Sequence, residues 1–296
     1  MLLKKLIFKR SYQLRRSNKV TRRILKNANK PDHDLNIVKA VLSSFDTSRP
    51  KKPDRISRLT ETQEHQLRMV MEMYHDDMVF RNCNGKTVKK ISMRTLYPGR
   101  ELNDEIINHF YSLLQTESNE KFLLNQQNVF LNTYFIAALK DGYCFDKVKN
   151  WRFRQHFGDL FLQDKVIIPC HVNGNHWTCA ILGIKSKTIH YLDPLVVKAR
   201  DDIPRLLIHY LEDEWNAFKR KRLFNRLEWK VVKPGYGEIP RQTNNHDCGV
   251  YVCMYAYYVS RNQRINFLSR DIDMIRQRLA YSIMKKKICI RSIDGD

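Results

Sequence analysis

The order of segments predicts an α+β fold, and three features of the sequence carry that expectation. Helical patterns come first, then a run of strands, then helices again, without the strand–helix–strand repetition that builds a parallel sheet. The strand candidates follow one another at Lys165–Val172, Trp177–Ile184 and Thr188–Leu192, close enough to form one sheet. Residues Val250–Val259 carry no charge on any side, which predicts a helix buried all round. The fold therefore reads as α+β, with a run of strands and one helix buried on every side.

Each element has its own reason. Glu61–Tyr74 reads as the first helix. Met78–Leu96 alternates in polarity around Asn84-Gly85, a hairpin signal. Leu102–Gln115 places apolar residues at 102, 106, 107, 110, 113 and 114, one helix face, with Asp104 and Glu105 suited to its first turn. Asn132–Gly142 is a short helix closed by glycine. After the strands, Ile203–Arg220 is a long helix and Glu228–Val232 an edge-like strand. A last amphipathic helix spans about Asp271–Lys286.

Composition sets the limits. The 296 residues are 43% hydrophobic and 11% aromatic, enough for a substantial core. The net charge of +22 is uneven: residues 1–30 hold eleven Lys/Arg and no acid, and 31–60 add six basic against four acidic residues. Residues 1–60 therefore read as a basic, unstructured extension and 61–296 as the globular domain. A solvated tail, nuclear import, RNA contact and an anionic membrane are the readings open for that extension. Its start resembles a mitochondrial presequence more than a secretory signal, because charges interrupt the apolar residues. Seven cysteines, with no CxxC pair and no zinc spacing, fit a reducing compartment such as nucleus or cytoplasm. No apolar run is long enough to span a bilayer.

The chemistry gathers around Cys248, where the polar run Glu238–Asp247 meets the apolar helix. Packing is one reason for a cysteine there. The other is reactivity, since aligned peptide dipoles at a helix start favour thiolate. A cysteine nucleophile needs a base, and the base an orienting group. The turn near Lys185–Ser186 makes facing positions of the two flanking strands sum to about 371, so His176 and Asp193 fall within a residue or two of each other at one end of the sheet. His190, His246 and His171 are rival bases. His190 lies mid-strand, and His246 is a loop neighbour of Cys248.

Four stretches then resemble a known family. "LNDEIINHFYSLL", "IPCHVNGNHWTCAIL", "KTIHYLDPL" and "EIPRQTNNHDCGVYVCMYA" are similar, in order and spacing, to the catalytic domain of the ubiquitin-like-protein-specific (SUMO/sentrin) cysteine proteases. "INFLSRDIDMIRQRLAYSIM" resembles its closing helix, and the likeness covers about residues 77–288. The resemblance implies a papain-like fold with the nucleophile on the central helix and His and Asp on the sheet. It implies Cys248 as nucleophile, His176 as general base and acid, Asp193 as orienter and Gln242 as an oxyanion donor. It implies Trp177 as a wall of the tunnel for a Gly-Gly tail, with Glu101 and Asp104 beside it, and neither cofactor nor metal. The substrate it implies is SUMO or another ubiquitin-like modifier, as precursor or conjugate. NEDD8, Gly-Gly-like sites in a viral precursor, acetyl transfer on the same triad and nucleic-acid binding are the alternatives. Two departures stand out. The family usually has tryptophan where this chain has Glu101, and "HVNGNHW" is one residue longer than the common loop.

Overall fold

The computed structural model describes residues 56–290, apart from 74, 76–77, 82–84, 86, 121–126, 141–142, 152–157, 196–201 and 236. Residues 1–55 of the basic extension, the hairpin's Asn84 and the helix-closing Gly142 lie outside the described residues. The elements are α1 (Glu61–Met73), β1 (Val79–Arg81), β2 (Thr87–Lys89), α2 (Lys90–Met93), α3 (Asp104–Glu120), β3 (Asn128–Phe130), α4 (Tyr134–Lys140), α5 (Phe145–Val148), β4 (Lys165–Val172), β5 (His176–Gly183), β6 (Thr188–Leu192), α6 (Asp202–Ala217), β7 (Lys230–Val232), α7 (Cys248–Ser260) and α8 (Ile272–Lys285).

β1 and β2 form a separate hairpin, and the other strands form one mixed sheet in the order β3-β4-β5-β6-β7. The three central strands are antiparallel neighbours, and β3 and β7 lie parallel to them at the two edges. The β5–β6 pairing runs from Cys179↔Leu192 to Gly183↔Thr188, the register expected from the turn at 185–186. Strands covered on both faces read as continuous apolar runs, and successive residues divide between two cores. Ile167, Cys179, Ile181 and Leu192 pack with α3, α7 and α8 on one face. Val166, Ile168, Ala180 and Leu182 pack with α4 and α6 on the other. Every residue of α7 except Val259 is buried, as the absence of a polar face requires.

Local signal and tertiary outcome part company in three places. The alternation across Met78–Leu96 signals a hairpin, and after β2 the chain turns into α2 at Lys90. Glu105 explains this by accepting hydrogen bonds from Lys89 N (3.3 Å) and Ser92 Oγ (2.7 Å). β3 carries no periodic signal. It is held from outside, with Phe130 N donating to Gln115 Oε1 at 2.9 Å and Asn128 N to Ser118 Oγ at 3.2 Å. α6 ends at Ala217 rather than Arg220 because the chain turns back there. Lys219 takes a positive φ of 48°, and Trp215 Nε1 donates to Arg222 O at 2.6 Å.

The packed chain begins before residue 61. Ile56 and Leu59 are buried, and Arg278 on α8 donates to Ser57 O (2.9 Å), Ser57 Oγ (2.7 Å) and Arg58 O (2.7 Å). A boundary drawn at residue 60 cuts through these contacts. Among the described residues no helix is long and apolar enough to cross a membrane.

Candidate active site

The site lies where β5 begins, β6 ends and α7 begins. His176 is the first residue of β5, and Asp193 follows the last residue of β6. The antiparallel register sets them side by side, with His176 Nε2 2.7 Å from Asp193 Oδ1. Asp193 Oδ1 also accepts Leu195 N at 2.9 Å, which fixes the carboxylate in its turn. Cys248 lies close enough to act on the same imidazole. With Nε2 taken by the carboxylate, Nδ1 is the nitrogen left for the sulfur. Burial opposes a charged His176, but the hydrogen bonds and charges of Asp193 and Cys248 outweigh it. Together they carry the imidazole up to about 9.

Cys248 opens α7 and is only 1% exposed. The close approach of α3 dictates its neighbour: a Cβ on Gly249 would meet Leu102 Cβ at 2.7 Å, so only glycine lets the loop before α3 press against the start of α7. The preceding Asp247 is buried. It accepts Arg276 Nη2 at 2.5 Å and Asn244 Nδ2 at 2.6 Å, so the turn into the helix is tied to α8. Arg276 also donates to Thr95 O, Tyr97 O and Arg100 O, which joins the segment before α3 to the same point.

Gln242 is buried two residues before Asn244, and its Nε2 donates to Asn244 O at 2.7 Å. One hydrogen of that amide is thus committed within the loop, and the second remains for another acceptor. Trp177 is buried, with Nε1 donating to Leu102 O at 3.0 Å and its ring 4.3 Å from that of His171. Asp104 accepts the Tyr134 hydroxyl. Glu101 is exposed. Burial lowers the His171 imidazole, and the nearby Asp104 and Glu101 carboxylates oppose it. Glu101, Asp104, His171 and Trp177 therefore share one rim beside His176.

The rival bases fall elsewhere. His171 is occupied by the Trp177 ring. His190 pairs with Ile181 in mid-strand, and burial lowers its imidazole. His246 Nε2 stands 3.9 Å from Asp247 Oδ1. Among the described residues no group of three His, Cys, Asp or Glu side chains is arranged to hold a metal ion. Sequence reasoning missed Arg276 and the Gly249–Leu102 contact. The available signal for the first was a charged side chain set on the apolar face of α8.

A thiol at the start of a buried helix, facing an imidazole and carboxylate from neighbouring strand ends, belongs to the papain-like cysteine protease fold. Residues 100–289 match the Ulp1 protease family, C-terminal catalytic domain, and the chain belongs to that family. It is 30% identical over 240 residues to sentrin-specific protease 2 of Homo sapiens, covering 81% of this chain and 39% of the relative. It is 31% identical over 199 residues to a sentrin-specific protease of Caenorhabditis elegans, covering 67% of this chain and 27% of the relative. The chain thus spans about two fifths or less of the length of these relatives. Among solved structures, the Ulp1 protease domain in complex with Smt3, the yeast ortholog of SUMO, superposes with a TM-score of 0.66. That match has 23% identity and covers 79% of this chain and 98% of the other.

Proposed function

We propose that the chain is a thiol protease that cleaves after the C-terminal Gly-Gly of SUMO or a closely related ubiquitin-like modifier. One observation carries the reading: His176, hydrogen-bonded to Asp193, stands within electrostatic reach of Cys248 at one end of the sheet. The relatives named sentrin-specific protease support the choice of modifier.

In this reading the His176 imidazolium pairs with the Cys248 thiolate, which attacks the carbonyl after Gly-Gly. Asp193 holds the imidazole through Nε2 and stabilises its charge. His176 then protonates the leaving amine, and water hydrolyses the thioester with His176 as base. Backbone N–H groups at the start of α7 and the second hydrogen of the Gln242 amide stabilise the oxyanion. Trp177 and the Glu101–Asp104 rim confine the tail, where glycine passes because any side chain would meet the walls. The basic residues 1–55 serve location, in nucleus or cytoplasm, through an import factor or an anionic partner.

The test is incubation with ubiquitin-like modifiers carrying a C-terminal reporter. Preferential release from SUMO is the expected result. Release only from another modifier would move the assignment there, and no release from any would remove it. A protein beginning between residues 53 and 55 should retain cleavage, because it keeps Ile56 and Leu59, both buried in the described core.

A further inference from the structure

We propose that Arg241 is a positioning residue for this reaction: its guanidinium fixes the turn that carries Asp193, and through it the Asp193–His176 pair. The inference rests on the protease reading above.

Asp193 is held on its carboxylate side by His176 and Leu195 N, but its backbone stands at an unsupported strand end followed by proline. Three consecutive carbonyls of this turn are bound from one place. Arg241 Nη1 donates to Asp193 O at 2.7 Å and to Leu195 O at 3.4 Å, and the next residue, Gln242, donates its backbone N–H to Pro194 O at 2.9 Å. The other arm of the guanidinium reaches the segment after β7, with Nη2 donating to Pro234 O at 2.7 Å and Gly235 O at 3.3 Å. Arg241 is itself anchored. Its carbonyl accepts the Tyr251 hydroxyl from α7 at 3.0 Å and Ser269 Oγ at 3.2 Å. The helix of Cys248, the neighbouring Gln242 and the turn of Asp193 are therefore joined through one residue, its carbonyl bound by Tyr251 of the helix and its guanidinium holding the turn.

Only a planar fork spans four carbonyls on two segments. A lysine at this position brings the charge without the geometry. Misplacing a catalytic group by about 1 Å costs up to about 10²-fold in rate, so a loosened Asp193 should be read in turnover. The titratable groups around His176 are Asp193 after β6, Cys248 on α7 and His171 on β4. Tyr255 on α7 is sensitive to both Arg241 and Asp193.

A double-mutant cycle on the full chain tests this with a modifier-reporter substrate. Arg241→Gln should lower kcat about tenfold and leave KM within about twofold. Its alkaline limb of activity should move to lower pH, because an imidazole less firmly held by Asp193 loses its proton earlier. In an Asp193→Asn background the same substitution should change turnover by less than about twofold, since the group it acts through is already gone. Losses that multiply across the two backgrounds, or an unmoved alkaline limb, would overturn the proposal. Arg241→Lys, read in the same cycle, serves if the glutamine variant does not fold. Partial loss is expected, and full activity would show that charge suffices and the fork does nothing. Asp193→Asn alone reports on the protease reading separately: if it is silent, the orienter assignment fails whatever Arg241 does.

Discussion

Two regions of the protein contain the same pair of chemical groups and treat them oppositely. At the sheet end, Cys248 faces His176. In the interior, Cys253 lies on the same helix and His109 on α3, both fully buried. His176 is carried up to about 9 by Asp193 and Cys248 against the cost of burial. His109 has no hydrogen-bond partner at either ring nitrogen, and burial pulls it down to about 4. Burial likewise pushes the Cys253 thiol well up. Cys248 is as inaccessible as Cys253, so exposure does not separate them. The partner does: burial without one holds an imidazole neutral, and burial beside Asp193 and Cys248 favours its charged form.

The sharpest way to break this contrast is to remove each thiol. Cys248→Ala should abolish cleavage and keep the fold, whereas Cys253→Ala should leave turnover nearly unchanged and lower the melting temperature slightly through lost packing. Iodoacetamide at neutral pH should modify Cys248 fast and Cys253 and Cys179 slowly. Rapid labelling of Cys253 would end the contrast.

The partners come next. His176→Ala should reduce turnover nearly as far as loss of the thiol, because the members act as a unit. Asp193→Asn should follow with a smaller loss, and Gln242→Ala with about 10²-fold. Steady-state kinetics on one substrate orders all three, and full activity of the His176 variant would reassign the base.

The two histidines also make opposite stability predictions. His176 has a folded-state pKa above the ordinary 6.5, so the native state holds the extra proton between 6.5 and about 9. Its stabilisation is complete below 6.5 and is lost as pH rises through 9. His109 has a folded-state pKa below 6.5, so the unfolded chain takes the proton first, and stability is lost as pH falls from 6.5 towards 4. The full His109 effect is about 3 kcal/mol at the acid end. Melting curves from pH 4 to 10 should show both slopes. His109→Phe should flatten the acid side and His176→Gln the alkaline side; the reverse pattern would contradict the assignment.

The smallest effect probes the rim of the paired region. Glu101→Trp should lower KM a few-fold for Gly-Gly-ended substrates and leave kcat nearly unchanged, because an added roof holds ground and transition states alike. A raised KM would mean that Glu101 does not border the tail.

Much of the site was legible because its groups sit at element boundaries, where local signals are strong. The change from polar loop to apolar helix marked Cys248. A single turn fixed the β5–β6 register and so the neighbourhood of His176 and Asp193. β3, α2 and the packing of Ser57 and Arg58 were not legible, since each is held by distant side chains rather than by its own pattern: Gln115 and Ser118 for β3, Glu105 for α2, Arg278 for Ser57 and Arg58.

The sequence by itself determined the α+β order, the buried axis of α7 and the pairing of two strands, because periodicity and turn geometry act over a few residues. Only the tertiary structure decided why glycine must follow Cys248, what ties the turn before it and what holds Asp193 in place. Those depend on Leu102, Arg241 and Arg276, brought together from far along the chain by packing, and no local pattern encodes a contact between residues so widely separated.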